Sequence, residues 1–112
     1  MSSANRRTAQ RYVLGDLLLE VNGVVHETVD ISARSVAVIA RPGIDYAMRR
    51  SHARFISAKL AKLNREVRWL AVTGLRKSLA IFDYAVDDPD WEALLRQHDA
   101  ANDVVILEDI FG

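Results

Sequence analysis

The clearest pattern of apolar and polar positions lies in "LLLEVNGVVHETVDI", residues 17–31. Leu17, Leu19 and Val21 alternate along one run, and Val25, Val29 and Ile31 along the next, the period of half-buried strands. Between them Asn22-Gly23 offers the two positive-φ residues that a type I′ turn requires, so the segment predicts a β-hairpin. "SVAVIAR" (35–41) is rich in β-branched residues and ends at Pro42-Gly43, predicting a third strand closed by a turn. From Asp45 to Glu66 the period changes. Met48, His52, Phe55, Ile56, Leu60, Leu63 and Val67 recur at spacings of three and four, and alanine and lysine fill the gaps. That pattern predicts a long amphipathic helix, with Asp45 at the positive end of its dipole and Arg50, Arg54, Lys62 and Arg65 on the opposite face.

"VRWLAVT" (67–73) and "SLAIFDYAV" (78–86) read as two more strands, with Gly74 opening the turn between them. In "DDPDWEALLRQHDA" Asp88 is placed to cap a short helix, Pro89 fits its first turn, and Trp91, Leu94, Leu95 and His98 form its buried stripe. "DVVILEDIF" (103–111) reads as a last strand. Residues 1–11 show no apolar periodicity and are expected to form a flexible basic arm ahead of a single globular domain, 12–112.

Length is consistent with one domain: 112 residues can bury roughly 65% of their unfolded surface. Without cysteine there is neither a disulfide framework nor a thiolate metal site. No apolar run approaches a bilayer span, and no signal-type segment follows the N-terminus, so the chain is expected to be cytoplasmic with no membrane insertion. The zero net charge hides a sorting. Residues 41–77 carry ten Lys/Arg against Asp45 and Glu66, whereas residues 83–112 carry nine acids against Arg96. Two such segments attract each other, a partner protein or a second copy of the chain; cancellation within the chain is the simpler account.

Candidate chemistry is sparse. His26, His52 and His98 stand far apart and none has a second ligand at zinc spacing; His52, on the apolar helical face, reads as a hydrogen-bonded core residue. Asp87, Asp88 and Asp90 are accounted for by helix capping. "TGLRKS" (73–78) lacks the first glycine and the Gly-Lys-Ser order of a phosphate loop, and no nucleophile elbow is present. The protein is therefore expected to be nonenzymatic, with neither metal nor cofactor. Nucleic acid is not an expected partner, because no aromatic residue interleaves with the basic helical face.

One pairing of segments is more specific. Arg7 and Arg11 sit four apart beside Arg6, and Asp30-Ile31-Ser32 lies at the end of the second hairpin strand. Arginine offers a planar fork of donors to phosphate oxygens or to the Hoogsteen edge of guanine, and a carboxylate can accept from the guanine Watson–Crick N–H groups. A mobile arm closing on an Asp-x-Ser turn could thus receive a guanine nucleotide.

Arg7-Thr8-Ala9-Gln10-Arg11 ahead of the first strand, then Asp30-Ile31-Ser32-Ala33-Arg34-Ser35 after a hairpin, resembles the PilZ domain, whose pattern is Arg-x-x-x-Arg followed by Asp/Asn-x-Ser-x-x-Gly. The resemblance covers about forty residues, and "SLAIFDYAVDDPDWEALL" is similar to the family's closing strand and C-terminal helix. It implies an antiparallel β-barrel, here with a long internal helix and a short C-terminal helix, that binds cyclic di-GMP. Arg6, Arg7 and Arg11 would clasp guanine and phosphate, and Asp30, Ser32 and Ser35 would line the opposite side. Ser35 stands where the family keeps glycine, which would be strained if the backbone there had a positive φ. Family members with altered motifs often lose the nucleotide and act through protein partners, so the resemblance leaves that outcome open here. The alternative fold is an α+β interaction or self-assembly module of order βββαββαβ with no nucleotide ligand.

Overall fold

A computed structural model of the chain describes residues 10–46 and 52–100. The fold is mainly β, and it is one curled antiparallel sheet forming a half-barrel. Its strands are β1 (Leu17–Val21), β2 (Val24–Ile31), β3 (Ser35–Ile39), β4 (Ala53–Ser57), β5 (Arg65–Val67), β6 (Trp69–Arg76) and β7 (Leu79–Ala85), followed by helix α1 (Trp91–Gln97). The sheet order is β5-β4-β1-β2-β3-β7-β6. Its two edge strands are consecutive in sequence, separated by Arg68 alone. The curled sheet is therefore tied at its edges by one bent length of chain, 65–76, which pairs with β4 at one end and β7 at the other. Arg68 itself donates its backbone N–H to Ala85 O at 2.7 Å.

The hairpin forms as its sequence predicts. Asn22 (φ 50°) and Gly23 (φ 84°) make the turn, and Val21 pairs with Val24. This register decides which β2 residues face inward, and it corrects the alternation read from Val25 and Val29. Leu19 lies opposite His26, so Val24, His26 and Thr28 point toward the core, while Val25 and Val29 are exposed. The register shifts between Thr28 and Asp30, and this irregularity returns Ile31 to the interior. A bulge that inserts one residue flips the faces beyond it, and apolar counting alone does not register that. The imidazole of His26 is fully buried beside Leu19, with Nδ1 2.9 Å from Val24 O and Nε2 2.9 Å from Tyr46 Oη.

The long helix over 45–66 is not found. Within that span the structure places β4, a single 3-10 turn (Ala61–Leu63) and the start of β5; residues 47–51 lie outside the described residues. The spacing misled because β4 buries two residues that an apolar count omits. Ala53, Phe55 and Ser57 point inward, opposite Val21, Leu19 and Leu17. Ser57 is buried because its Oγ donates to Asp16 Oδ2 (2.9 Å) and accepts from Leu60 N (3.1 Å). Pairing with the inward row of β1 overrides the helix propensity of the Ala/Lys-rich stretch. His52, no core residue, is exposed, with Nε2 3.7 Å from Glu66.

The core gathers Tyr12, Leu17, Leu19, Ile31, Val36, Val38, Phe55, Phe82 and Tyr84 inside the sheet, and Trp91 and Leu95 pack α1 against it. The Phe55 ring lies 5.0 Å from Tyr84 and 5.1 Å from Trp91. Burial of each such side chain contributes about 2–3 kcal/mol. Leu94 and His98 are only half-buried, so the stripe of α1 is narrower than its sequence suggests. Asp90 occupies the cap position, while Asp88 Oδ1 accepts from Asp90 N (2.9 Å) and so orders the approach rather than capping the helix. The β6–β7 turn falls at Lys77-Ser78. Gly74 lies inside β6, next to a register shift after Val72. The strand expected at 103–111 lies outside the described residues.

Candidate ligand-binding site

Three groups of residues meet at the outer face of the half-barrel. The first is the stretch ahead of β1. Tyr12 and Ile31 exchange backbone bonds (Tyr12 N to Ile31 O, 2.7 Å; Ile31 N to Tyr12 O, 2.9 Å), so residue 11 is held against the end of β2. Arg11 and Asp30, 19 residues apart in sequence, form an ion pair there: Nη2 lies 2.7 Å from Oδ1, and Nε donates to the same oxygen at 2.8 Å. Arg11 Nη2 also reaches Ser35 O at 3.5 Å. This pairing engages one carboxylate oxygen. Asp30 Oδ2 and Arg11 Nη1 have no partner among the described residues.

The second group is the turn 32–35. Ser32 N donates to Ser35 O (2.7 Å), and Ser32 Oγ accepts from Ser35 N (3.1 Å) and, at 3.4 Å, from Arg34 N. Serine at this position offers its hydroxyl to the following N–H groups, which stabilises a tight turn. Ser32 is thus 6% exposed and its hydroxyl is engaged within the turn. From below, the buried Tyr84 hydroxyl donates to Ser32 O (2.6 Å) and accepts from Trp91 Nε1 (2.7 Å). Burial pushes the Tyr84 pKa up from the ordinary phenol value, outweighing the hydrogen bond from Trp91, which lowers it. Ser35 opens β3 opposite Asp83. Among the described residues Asn22 alone outside glycine has a positive φ, so Ser35 carries its Cβ without backbone strain.

The third group comes from β6 and β7. Thr73, Gly74, Arg76, Ile81 and Asp83 join Arg11, Ser32, Ser35 and the turn's own Arg34 around an open cleft of about 440 Å³. The bulge at Thr73 is part of this wall, where Thr73 Oγ1 donates to Ile81 O at 3.3 Å. The guanidinium groups of Arg34 and Arg76 have no hydrogen bond or ion pair among the described residues. Sequence reasoning missed both. Arg34 sits within the Asp-x-Ser motif but is not one of its named positions, and Arg76 reaches the cleft only through the pairing of β6 with β7.

Of the residues singled out from the sequence, Arg11, Ser32 and Ser35 line this cleft and Asp30 borders it through Arg11; Arg6 and Arg7 lie outside the described residues. The basic helical face is absent with its helix. Arg54 instead pairs with Glu20 (3.0 Å) and Arg65 with Asp88 (2.9 Å), while Arg50 lies outside the described residues. Among the described residues no three His, Cys, Asp or Glu side chains gather as a metal site, and no helix is long and apolar enough to cross a membrane. Scanned against protein-family models and searched against curated proteins, the chain finds no match.

Proposed function

We propose that the chain is a nonenzymatic receptor for cyclic di-GMP, built as a PilZ-like barrel. The observation that supports this most is the convergence of Arg11, Ser32, Arg34 and Ser35 from two distant segments onto one cleft that Asp30 borders through Arg11 and whose far wall adds Arg76. Three guanidinium groups around one opening favour a ligand with more than one phosphate. Asp30 Oδ2 supplies an acceptor of the kind that guanine N–H groups need. Arg6 and Arg7 would add further cations from the N-terminal arm.

The output follows from what holds residue 11 in place. Its neighbours are clamped to the C-terminal end of the described fold. Tyr12 Oη donates to Glu92 (3.3 Å), Val13 N donates to Asp99 Oδ1 (2.9 Å), and Ala100 N donates to Val13 O (2.6 Å). A ligand that reorders the arm through Arg11 acts on α1 and the residues after it, changing the surface shown to a partner protein. A second reading, a degenerate relative or interaction module that binds protein without nucleotide, draws on the exposed Val25, Val29 and Ile39 on β2 and β3.

Calorimetric titration with cyclic di-GMP, on the full chain and on a chain lacking residues 1–11, separates the two. The receptor reading expects saturable binding that the truncation abolishes while the fold is kept. An intact full chain that takes up no nucleotide leaves the second reading.

A further inference from the structure

The arginine cleft does not end at Asp83. Cross-strand pairing puts Ser35, Asp83 and Ala71 in one row on the outer face, and Trp69 with Ala85 in the next row. A second cavity of about 490 Å³ is lined by Trp69, Ala85 and the backbone neighbour Tyr84, and it shares Arg34 and Asp83 with the cleft. The two cavities are therefore adjoining, with Arg34 and Asp83 on their common wall. Two features of this wall leave recognition groups open to a ligand. Trp69 is 48% exposed on an edge strand, and its indole N–H has no partner among the described residues. Asp83 lines the same two cavities as Arg34, yet neither side chain forms an ion pair among the described residues. A site for anions alone would gain nothing from an unpaired carboxylate among arginines. Guanine resolves the conflict, because its N1–H and N2–H groups form a pair of donors that a carboxylate accepts, whereas adenine offers no such pair.

We propose that Trp69, Asp83 and Arg34 form a guanine subsite that takes one base of a dinucleotide whose phosphates meet Arg11 and Arg76. This rests on the receptor reading for the second base and the phosphates. The base stacks on the Trp69 indole, a contact worth about 1–3 kcal/mol. Its Watson–Crick edge meets Asp83, and Arg34 bridges from this subsite to the phosphates. Asp83 is the specificity-determining residue, and Trp69 the platform.

The test uses the indole as its own reporter, with Trp91 buried as the internal reference. The full chain and its Trp69→Ala, Trp69→Phe and Asp83→Asn variants are titrated with cyclic di-GMP, GMP and AMP, following emission and heat, with circular dichroism to confirm the fold. The subsite predicts quenching by cyclic di-GMP and, at higher concentration, by GMP, all of it lost in Trp69→Phe. Trp69→Ala should weaken cyclic di-GMP binding about 10-fold, with Trp69→Phe in between, as expected for loss of one stacked base. Asp83→Asn should remove the preference for GMP over AMP. Tight cyclic di-GMP binding that is unquenched and unchanged in Trp69→Ala overturns the subsite and leaves the receptor reading standing. Quenching by GMP without cyclic di-GMP binding supports the subsite and overturns the receptor reading. Silence toward all three nucleotides overturns both.

Discussion

Two sets of arginines on this sheet are treated in opposite ways. At the seam where β5 bends into β6, Arg65 pairs with Asp88 and Arg68 with Asp87, and both acids belong to the loop that leads into α1. At the mouth beyond β3, Arg34 and Arg76 face a cleft whose one carboxylate, Asp83, forms no ion pair with either among the described residues, and Arg11 engages only one oxygen of Asp30. Among the described residues, the basic middle and acidic end of the chain form ion pairs at the seam alone. Cations that a fold leaves uncompensated around a concave surface are poorly explained by stability, since like charges held together repel. The paired set joins elements, and the unpaired set is the one the proposed receptor would use.

The comparison sharpens if the support beneath the cleft is removed without touching its charges. Tyr84→Phe leaves Ser32 O and Trp91 Nε1 buried without their partner, and we expect a loss of about 1–3 kcal/mol in denaturant unfolding. In the wild type the raised Tyr84 pKa adds an alkaline signature. The unfolded chain ionises its phenol near the ordinary value while the folded one holds the proton, so stability is full below that value and falls as pH rises beyond it. Tyr84→Phe should flatten that part of the alkaline profile.

A smaller effect is expected at the seam. Arg65→Ala removes a half-buried pair and should cost about 1 kcal/mol or less, leaving nucleotide affinity unchanged. The Asp88 carboxyl is held below its ordinary pKa first by the Asp90 N–H and then by the hydrogen bond from Arg65. Its contribution is therefore present above the ordinary carboxylate range and is lost as pH falls through the lowered value. Asp88→Asn should weaken the acid limb of the stability profile, and a profile unchanged by the substitution would contradict this assignment. The smallest effect belongs to Arg68→Ala. Both partners of the Arg68–Asp87 pair are largely exposed, so its midpoint of unfolding should match the wild type within error.

How much of this was legible in the sequence differs sharply between segments. The hairpin was readable because Asn22-Gly23 fixes its own turn and Leu17, Leu19 and Val21 carry the period unaided. Most of the other strands were found for similar local reasons. Segment 45–66 was not, because its strand depends on a partner 34 residues away, as in the Arg54–Glu20 pair, and hides its inward row behind Ala53 and Ser57. The candidate site was half readable. Asp30 and Ser32 stand at the end of the hairpin's second strand, and Arg11 could be matched to them by order and spacing. Arg76, Asp83 and Trp69 join them only through the β3–β7–β6 pairing, and the Thr73 bulge shifts which β6 residues face outward. No pattern along the chain announces such a convergence.

The distinction between paired and unpaired arginines is tested most directly by cyclic di-GMP affinity in two double variants of the full chain. Replacing Arg34 and Arg76 with alanine should weaken binding by about 100-fold, the loss of two charge-assisted contacts of about 1.4 kcal/mol each. Replacing Arg65 and Arg68 with alanine should leave the affinity within a factor of two. Equal losses in both would mean that the ligand responds only to net charge, and would contradict the assignment of the cleft.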